Sequence, residues 1–285
     1  MLEMSDIGDG LYKKGFAGDT FNVVHYINRV SCGQLDTSYL SAIGQDALSE
    51  ACFDFLVKSG ISTSHIQRDP GRTIGLFILS NDEKGEKQYS YWRGQSAARH
   101  IFNEMRDLTG FDYIYLSGIT TAVTENKENL LKSLKQAKEK GATIVFDVNH
   151  RKLLWSAREA SLFAHRMFEI ADIVKISDEE LELLYPDQTI KQLSRLYDRI
   201  EWVLTCASEK AEVLKAGKIL ASHSFVPVEK VVDSSAAGDA FIATYLHAKI
   251  ANHTMANAIK RAHKVASQVV CHKGSIVPID LSKLD

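Results

Sequence analysis

The stretch DSSAAGDAF, residues 233–241, places a carboxylate among small side chains at the start of a helical pattern. From Asp239 onward, apolar residues recur at helical spacing. The first amides of a helix lack internal partners and lie at the positive end of its dipole, so they bind an anion where side chains leave room. Ala236, Ala237 and Gly238 leave that room. The pattern therefore predicts an anion-binding turn.

The carboxylate of Asp239 needs a separate explanation, because a negative charge opposes simple anion capture. It suits a phosphoryl group that is being transferred to a hydroxyl, since Asp239 can accept the proton of that hydroxyl as a general base. A second interpretation is that Asp239 and Ser235 only cap the helix, because both residue types favour helix starts and tight turns. Local chemistry leaves both interpretations open.

Composition and charge exclude several other classes of protein. The chain has 285 residues, of which 45% are hydrophobic and 25% charged, values typical of a globular protein with a large core. A net charge of −2 gives no overall attraction to nucleic acid or anionic membranes. No apolar run is long enough to span a bilayer, and no signal segment is evident. We expect a cytoplasmic protein without a nucleic-acid or membrane partner.

Cysteine and histidine spacing gives no metal site. The four cysteines are far apart without a CxxC pair, and the ten histidines form no HExxH motif. Free thiols in a reducing compartment and scattered histidines are the expected outcome.

Short β-rich runs alternate with longer segments of helical period, a pattern typical of a mostly parallel sheet covered by helices. The predicted strands are 39–43, 113–117, 143–148, 172–177 and 201–206. One region departs from the alternation: RTIGLFILS (72–80) and KQYSYWR (87–93) are two extended runs joined by NDEKGE (81–86), which suits a hairpin. We predict a single α/β domain, 1–285, with a small β lid.

Two motifs resemble one family. DSSAAGDAF resembles the D-T-x-G-A-G-D motif of the ribokinase-like (PfkB) carbohydrate kinases, with Ala236 where many members have glycine. GFAGDTFNVV, residues 15–24, resembles the sugar-binding Gly-Gly motif of that family, with Ala17 for its first glycine. The resemblance implies a three-layer sandwich whose mostly parallel central sheet is flanked by helices, with lid strands at about 1–16 and 72–93. It also implies that a first core strand is missing before Met1.

Three further stretches, 89–98, 111–119 and 146–155, resemble the family members that phosphorylate 2-keto-3-deoxygluconate to its 6-phosphate. A sugar acid calls for arginine, whose guanidinium holds a carboxylate through two hydrogen bonds. The resemblance implies that Asp239 is the base, that 236–239 is the anion hole, and that the sugar acid contacts Gly18, Asp19, Asn22, Tyr91, Arg93, Ile119 and Arg151. Tyr91 and Arg93, at alternate positions with Tyr89, could instead form an edge strand with aromatic packing and a solvated arginine.

The resemblance also implies ATP and Mg²⁺ as cofactors. The nucleotide side would comprise Ser177, Glu180, Thr205, Gly238, Lys273 and Gly274, with adenine near 251–257 and 271–275. Glu180 would act on Mg²⁺ through water, although it is also an ordinary acid for the first turn of a helix. Asp233 and Ser275 could give oxygens to a monovalent cation.

Departures from the family pattern keep alternatives open. Ser177 replaces an asparagine, and CASEKA (206–211) lacks the usual Gly-x-x-Gly turn, so nucleotide binding could differ. The alternatives are another PfkB sugar kinase, of the fructokinase or ribokinase type, or a retired homologue that only binds a sugar or nucleotide. The lid would pair two subunits in a homodimer.

Overall fold

The computed structural model describes residues 1–81, 87–207 and 209–284. The strands are β1 Leu2–Asp6, β2 Tyr12–Phe16, β3 Ser41–Ile43, β4 Ile66–Arg68, β5 Leu76–Asn81, β6 Lys87–Trp92, β7 Tyr113–Ser117, β8 Thr143–Asp147, β9 Ile173–Ser177, β10 Glu201–Cys206, β11 Lys210–Lys215 and β12 Lys218–Ser224. The helices are α1 Asp19–Val30, α2 Ala47–Lys58, α3 Gly118–Val123, α4 Lys127–Glu139, α5 Ala157–Phe168, α6 Asp178–Leu184, α7 Ile190–Leu196, α8 Ala237–Ile250 and α9 Met255–Val269.

A six-stranded sheet in the order β12-β11-β10-β9-β8-β7 forms the centre of the fold. Strands β7 to β10 run parallel, and β11 and β12 extend the sheet as antiparallel strands. The predicted strands at 113–117 and 201–206 match β7 and β10 in their bounds. The predicted α/β class with a mostly parallel sheet is confirmed.

Helices cover both faces of this sheet because its side chains alternate between them. Ile144 and Phe146 of β8 pack in one cluster with residues of α4 and α5. Val145, between them, joins the cluster formed by α1, α8 and α9. On the α4 and α5 side, the rings of Phe168 and Trp202 meet edge to face with centroids 4.9 Å apart. These two layers fix the orientation of α8, at whose start the predicted anion turn lies.

A separate four-stranded sheet in the order β2-β1-β5-β6 contains the two extended runs of the predicted hairpin. β5 and β6 pair antiparallel, from Leu76 opposite Trp92 to Asn81 opposite Lys87. Of the predicted connection, NDEKGE, residues 82–86 lie outside the described part of the chain. β1 pairs with β2 antiparallel and with β5 parallel, so the segments 2–16 and 76–92 form one layer.

The predicted strand at 39–43 does not join the central sheet. The observed strand is β3, three residues long, and it pairs only with β4 in a two-stranded sheet among the described residues. β7, at the edge of the central sheet, pairs only with β8 in the same ranges. Residues of β3 and β7 line one cavity of about 770 Å³. Both of these sheet edges therefore face the same open space.

None of the helices in the described ranges combines the length and apolar character that a bilayer crossing requires.

Candidate active site

The carboxyl ends of the parallel strands converge on the start of α8. β7, β8 and β9 end at Ser117, Asp147 and Ser177, and Thr205 pairs in register with Ser177 near the end of β10. In open α/β sheets, ligands bind outside this edge, where strands end and helices begin. The polar side chains at this edge therefore outline the candidate site.

The anion turn forms at the start of α8. Ala236 is the residue before the helix and adopts a left-handed conformation, with φ 59°. That conformation costs alanine about 1 kcal/mol relative to glycine. No acceptor among the described residues binds the amides of Gly238 and Asp239. The amide of Ala237 differs, because it donates to the Ser234 carbonyl at 3.3 Å. One amide of the predicted anion hole is thus engaged internally, and anion binding by this turn stays a prediction.

Asp233 holds this turn in place. Its Oδ1 accepts from the Ser235 amide at 2.7 Å and its Oδ2 accepts from the Gly274 amide at 3.0 Å. Gly274, predicted on the nucleotide side, therefore lies next to the turn, and its neighbour Lys273 is exposed. The Ser275 carbonyl accepts from the Tyr26 hydroxyl at 2.8 Å. A cation contact for Asp233 or Ser275 stays a prediction.

Asp239 and Asn22, from the two motifs at opposite ends of the chain, are in direct contact. The Asn22 Nδ2 donates to Oδ2 of Asp239 at 2.8 Å, and Asn22 is 5% exposed. Burial and the negative charge of Asp19 raise the pKa of Asp239 to about 7, although the Asn22 hydrogen bond favours the ionised form. A general base acts best with a pKa near the operating pH. Asp239 therefore has the properties of a base at neutral pH.

Asp19, at the start of α1, lies between the sheet edge and the cavity. Its Oδ2 accepts hydrogen bonds from the Ser117 hydroxyl and, at 3.4 Å, from Nδ2 of Asn149. The cavity of about 770 Å³ contains Asp19 together with Gly18, Arg93 and Ile119. Of the predicted sugar contacts, these four line the cavity, whereas Asn22, Tyr91 and Arg151 lie outside its lining.

Arg93 stacks on Tyr91, as the alternate spacing predicts. Its Cζ lies 4.1 Å from the Tyr91 ring centroid, and the rings of Tyr89 and Tyr91 stack with centroids 6.1 Å apart. No carboxylate of the described residues lies within ion-pair distance of Arg93. Burial and the charge of Arg151 lower the pKa of Arg93, whereas the charge of Asp19 raises it. Arg151 is exposed and donates to the His150 carbonyl at 3.1 Å.

Glu180 caps a helix in this structure. Its Oε2 accepts from the Ser177 amide at 2.9 Å in a capping box, and its Oε1 accepts from the His150 amide at 2.7 Å. This is the simpler of the two roles that the sequence leaves open for Glu180. The described residues contain no cluster of three or more side chains that could hold a metal.

A second pocket of about 520 Å³ lies between β12 and α9. It contains Ala256 and Asn257 from the predicted adenine segment 251–257, together with His223 and Lys260. None of 271–275, the other predicted adenine segment, lines it. The two segments do not meet in this pocket, and the adenine site stays a prediction. Ser208, within the departing turn at 206–211, lies outside the described residues.

The sequence analysis missed a buried ion pair at the strand ends. The Nζ of Lys175 lies 3.0 Å and 3.1 Å from the two carboxylate oxygens of Asp147. A signal was present, because a lysine inside the apolar strand DIVKIS needs a buried partner. The partner could not be identified, since it depends on the register of β8 and β9. Ser117 and Asn149, which hold Asp19, were missed for the same reason.

Comparison with known proteins agrees with this architecture. A family model described as "pfkB family carbohydrate kinase" matches residues 9–281. The 2-dehydro-3-deoxygluconokinase of Escherichia coli (strain K12) is 33% identical to this chain over an alignment of 293 residues. The alignment covers 98% of this chain and 94% of that protein. The chain therefore belongs to the pfkB family of carbohydrate kinases, and the predicted family is confirmed.

Solved structures show the same fold at lower identity. The 2-dehydro-3-deoxygluconokinase of Thermotoga maritima superimposes with a TM-score of 0.83 at 20% identity, over 100% of this chain and 95% of the other. The fructokinase of Vibrio cholerae O395, with fructose, ADP and a calcium ion bound, gives a TM-score of 0.83 at 23% identity, over 96% of this chain and 91% of the other.

Proposed function

We propose that this kinase transfers the γ-phosphoryl group of ATP to the 6-hydroxyl of 2-keto-3-deoxygluconate. The observation that carries the proposal is Asp239 itself. Its carboxylate has a pKa of about 7 and is held by Asn22, and the preceding residue is Gly238, whose amide donates to no acceptor in the part of the chain that the structure describes. A base next to an anion turn is the arrangement that phosphoryl transfer to a hydroxyl needs.

Arg93 supports a sugar acid as the substrate. Its guanidinium lines the cavity without a carboxylate partner among the described residues, and Tyr91 holds it from one side by a cation–π contact. A substrate carboxylate would supply the missing partner through two charge-assisted hydrogen bonds. The 33% identity to the Escherichia coli relative over almost the whole chain supports the same sugar.

The reaction follows from the positions of these groups. The proton of the sugar hydroxyl passes to Asp239, and the hydroxyl oxygen forms a bond to the γ-phosphorus as the bond to the leaving ADP oxygen breaks. The amides of Gly238 and Asp239 donate to the phosphoryl oxygens, whose charge is spread over three atoms in a loose transition state. Asp19 and Arg93 hold the sugar so that its hydroxyl reaches the base.

The nucleotide would approach from the edge at which Ser177, Thr205 and Gly274 lie. ATP fits this edge because the turn offers amides to phosphate oxygens. Mg²⁺ would neutralise phosphate charge, with Glu180 acting on it through water. The structure of the Vibrio cholerae fructokinase, with fructose, ADP and a calcium ion bound, supports a nucleotide and a divalent ion in this fold.

A coupled ADP assay over a panel of sugars tests the proposal. The panel contains 2-keto-3-deoxygluconate, gluconate, fructose and ribose at equal concentrations. We expect the highest kcat/KM with 2-keto-3-deoxygluconate. Higher turnover of fructose or ribose would reject the sugar acid and leave a kinase of another specificity. Calorimetric binding of a sugar or nucleotide without any ADP formation would support the retired homologue instead.

The four-stranded sheet β2-β1-β5-β6, which contains the predicted lid strands, would form the contact of a homodimer. Tyr12 is 44% exposed and Trp92 is 56% exposed on this sheet, and large aromatic rings lose most solvent contact at subunit interfaces. Sedimentation of the protein and of Trp92→Glu tests this pairing. A dimer that the substitution converts to monomer is expected, and a monomeric wild type would reject it.

A further inference from the structure

The buried pair of Lys175 and Asp147 has no role in the steps described above. Asp147 is 1% exposed and Lys175 is 7% exposed, and Tyr115 donates its hydroxyl to Asp147 Oδ2 at 3.2 Å. Asp147 is the only hydrogen-bonding partner of the Lys175 ammonium among the described residues. Buried ion pairs seldom stabilise a fold more than an apolar pair would. Stability of the fold therefore does not by itself explain this ion pair.

Strand alternation directs both charges toward α8. Val145 of β8 and Ile173 of β9 point into the cluster formed by α1, α8 and α9. Asp147 and Lys175 follow them by two positions on the same strands, and the two are register partners. Side chains two apart on a strand share one face, so both charges lie on the side of the sheet that α8 covers.

The ammonium lies directly under the anion turn. A Cβ built on Gly238 would be 3.7 Å from Nζ of Lys175 and 3.9 Å from its Cε. Three carboxylates act on this cation: Asp147, Glu180 and Asp239. Burial alone would lower the pKa of Lys175, but these charges together raise it, so the group stays protonated. In turn, the charge of Lys175 lowers the pKa of Asp239, whereas Asp19 and Asp147 raise it.

We propose that Lys175, oriented by Asp147, is a positioning residue of the phosphoryl-transfer site, whose fixed positive charge under Gly238 compensates the negative charge gathered at the 236–239 turn. The inference rests on the proposed function of that turn. Lys175 keeps its proton throughout, because Asp239 receives the proton of the sugar hydroxyl. The charge acts through the backbone of the turn, where low exposure makes it stronger than in water.

Three variants separate this role from a structural one: Asp147→Asn, Lys175→Met, and the two combined. Lys175→Met alone leaves a buried, unpaired carboxylate and can unfold for that reason. The double variant removes both charges of the pair, so neither is left without its partner, and its fold is expected to persist by circular dichroism and thermal melting. Its kcat is expected to fall about a hundredfold, the loss typical of one preorganised electrostatic group, while KM for the sugar changes little.

The matched control is another ion pair, Lys138 and Asp172, which lies at the opposite end of the sheet from the turn, because Asp172 precedes β9. The combined Lys138→Met and Asp172→Asn variant removes a lysine and an acid in the same way, outside the lining of the cavity of about 770 Å³. Its kcat is expected to stay within about threefold of wild type. All variants are assayed with the sugar that the wild type turns over best, so failure of the proposed substrate does not affect the comparison.

The pH profile gives the second readout. Asp147→Asn removes an anion that disfavours ionised Asp239, so the acid limb of kcat/KM should move to lower pH. Adding Lys175→Met removes the opposing cation and should move the limb back up. A folded double variant with wild-type kcat would overturn the proposal. If the double variant does not fold, the Asp147→Asn profile decides, and an unmoved acid limb there would overturn it.

Discussion

Asn22 donates to Oδ2 of Asp239 at 2.8 Å and so joins α1 to α8 across 217 positions of the chain. The other end of the amide, Oδ1 of Asn22, is buried and has no hydrogen-bond partner among the described residues. One end of this side chain thus holds Asp239, the proposed base, and its other end can accept a hydrogen bond from a bound hydroxyl. The contact links the sugar motif directly to the phosphoryl-transfer motif.

The pH profile of kcat/KM should rise through about 7 and level off above it, because Asp239 must be ionised to accept a proton and its pKa is about 7. Asn22→Ala removes a hydrogen bond that favours the ionised carboxylate. We expect the acid limb of this variant to move to higher pH, and initial rates between pH 5 and 9 measure it.

Asp19→Asn provides the opposite change. The negative charge of Asp19 raises the pKa of Asp239. Removing that charge should therefore move the acid limb to lower pH, even if KM also changes. Shifts in the same direction for the Asn22 and Asp19 variants, or no shift in either, would contradict the assignment of Asp239 as the titrating base.

Arg93→Met should raise KM for 2-keto-3-deoxygluconate about ten- to a hundredfold, the loss expected from hydrogen bonds to a charged group. A neutral sugar such as fructose has no carboxylate to lose, so its KM should change little. Steady-state kinetics on both sugars give the comparison. Arg166→Met is the control, because Arg166 also stacks on an aromatic ring, at 5.6 Å from the Phe163 centroid, but is exposed and pairs with Glu128. Equal losses on both sugars for the Arg93 variant would exclude a carboxylate contact.

The sequence predicted the class of fold and the two motifs that meet at Asp239. These features depend on residues close together in the chain, namely the apolar periods of strands and helices and the small residues at a helix start. It did not predict where β3 pairs, since three residues carry too little pattern to specify a partner. Lys175 shows the same limit within the site. Its burial could be suspected from an apolar strand, but Asp147 becomes its partner only through the register of two strands.

The central claim is that Asp239 takes the proton of the sugar hydroxyl, and Asp239→Asn tests it most directly. The substitution keeps the size of the side chain and removes the repulsion from Asp19, so the fold should be as stable as that of the wild type. In single-turnover experiments with ATP and 2-keto-3-deoxygluconate, the account predicts that phosphoryl transfer slows by about a thousandfold, within the range for loss of a general base, while both substrates still bind. Transfer at a rate near that of the wild type would contradict it.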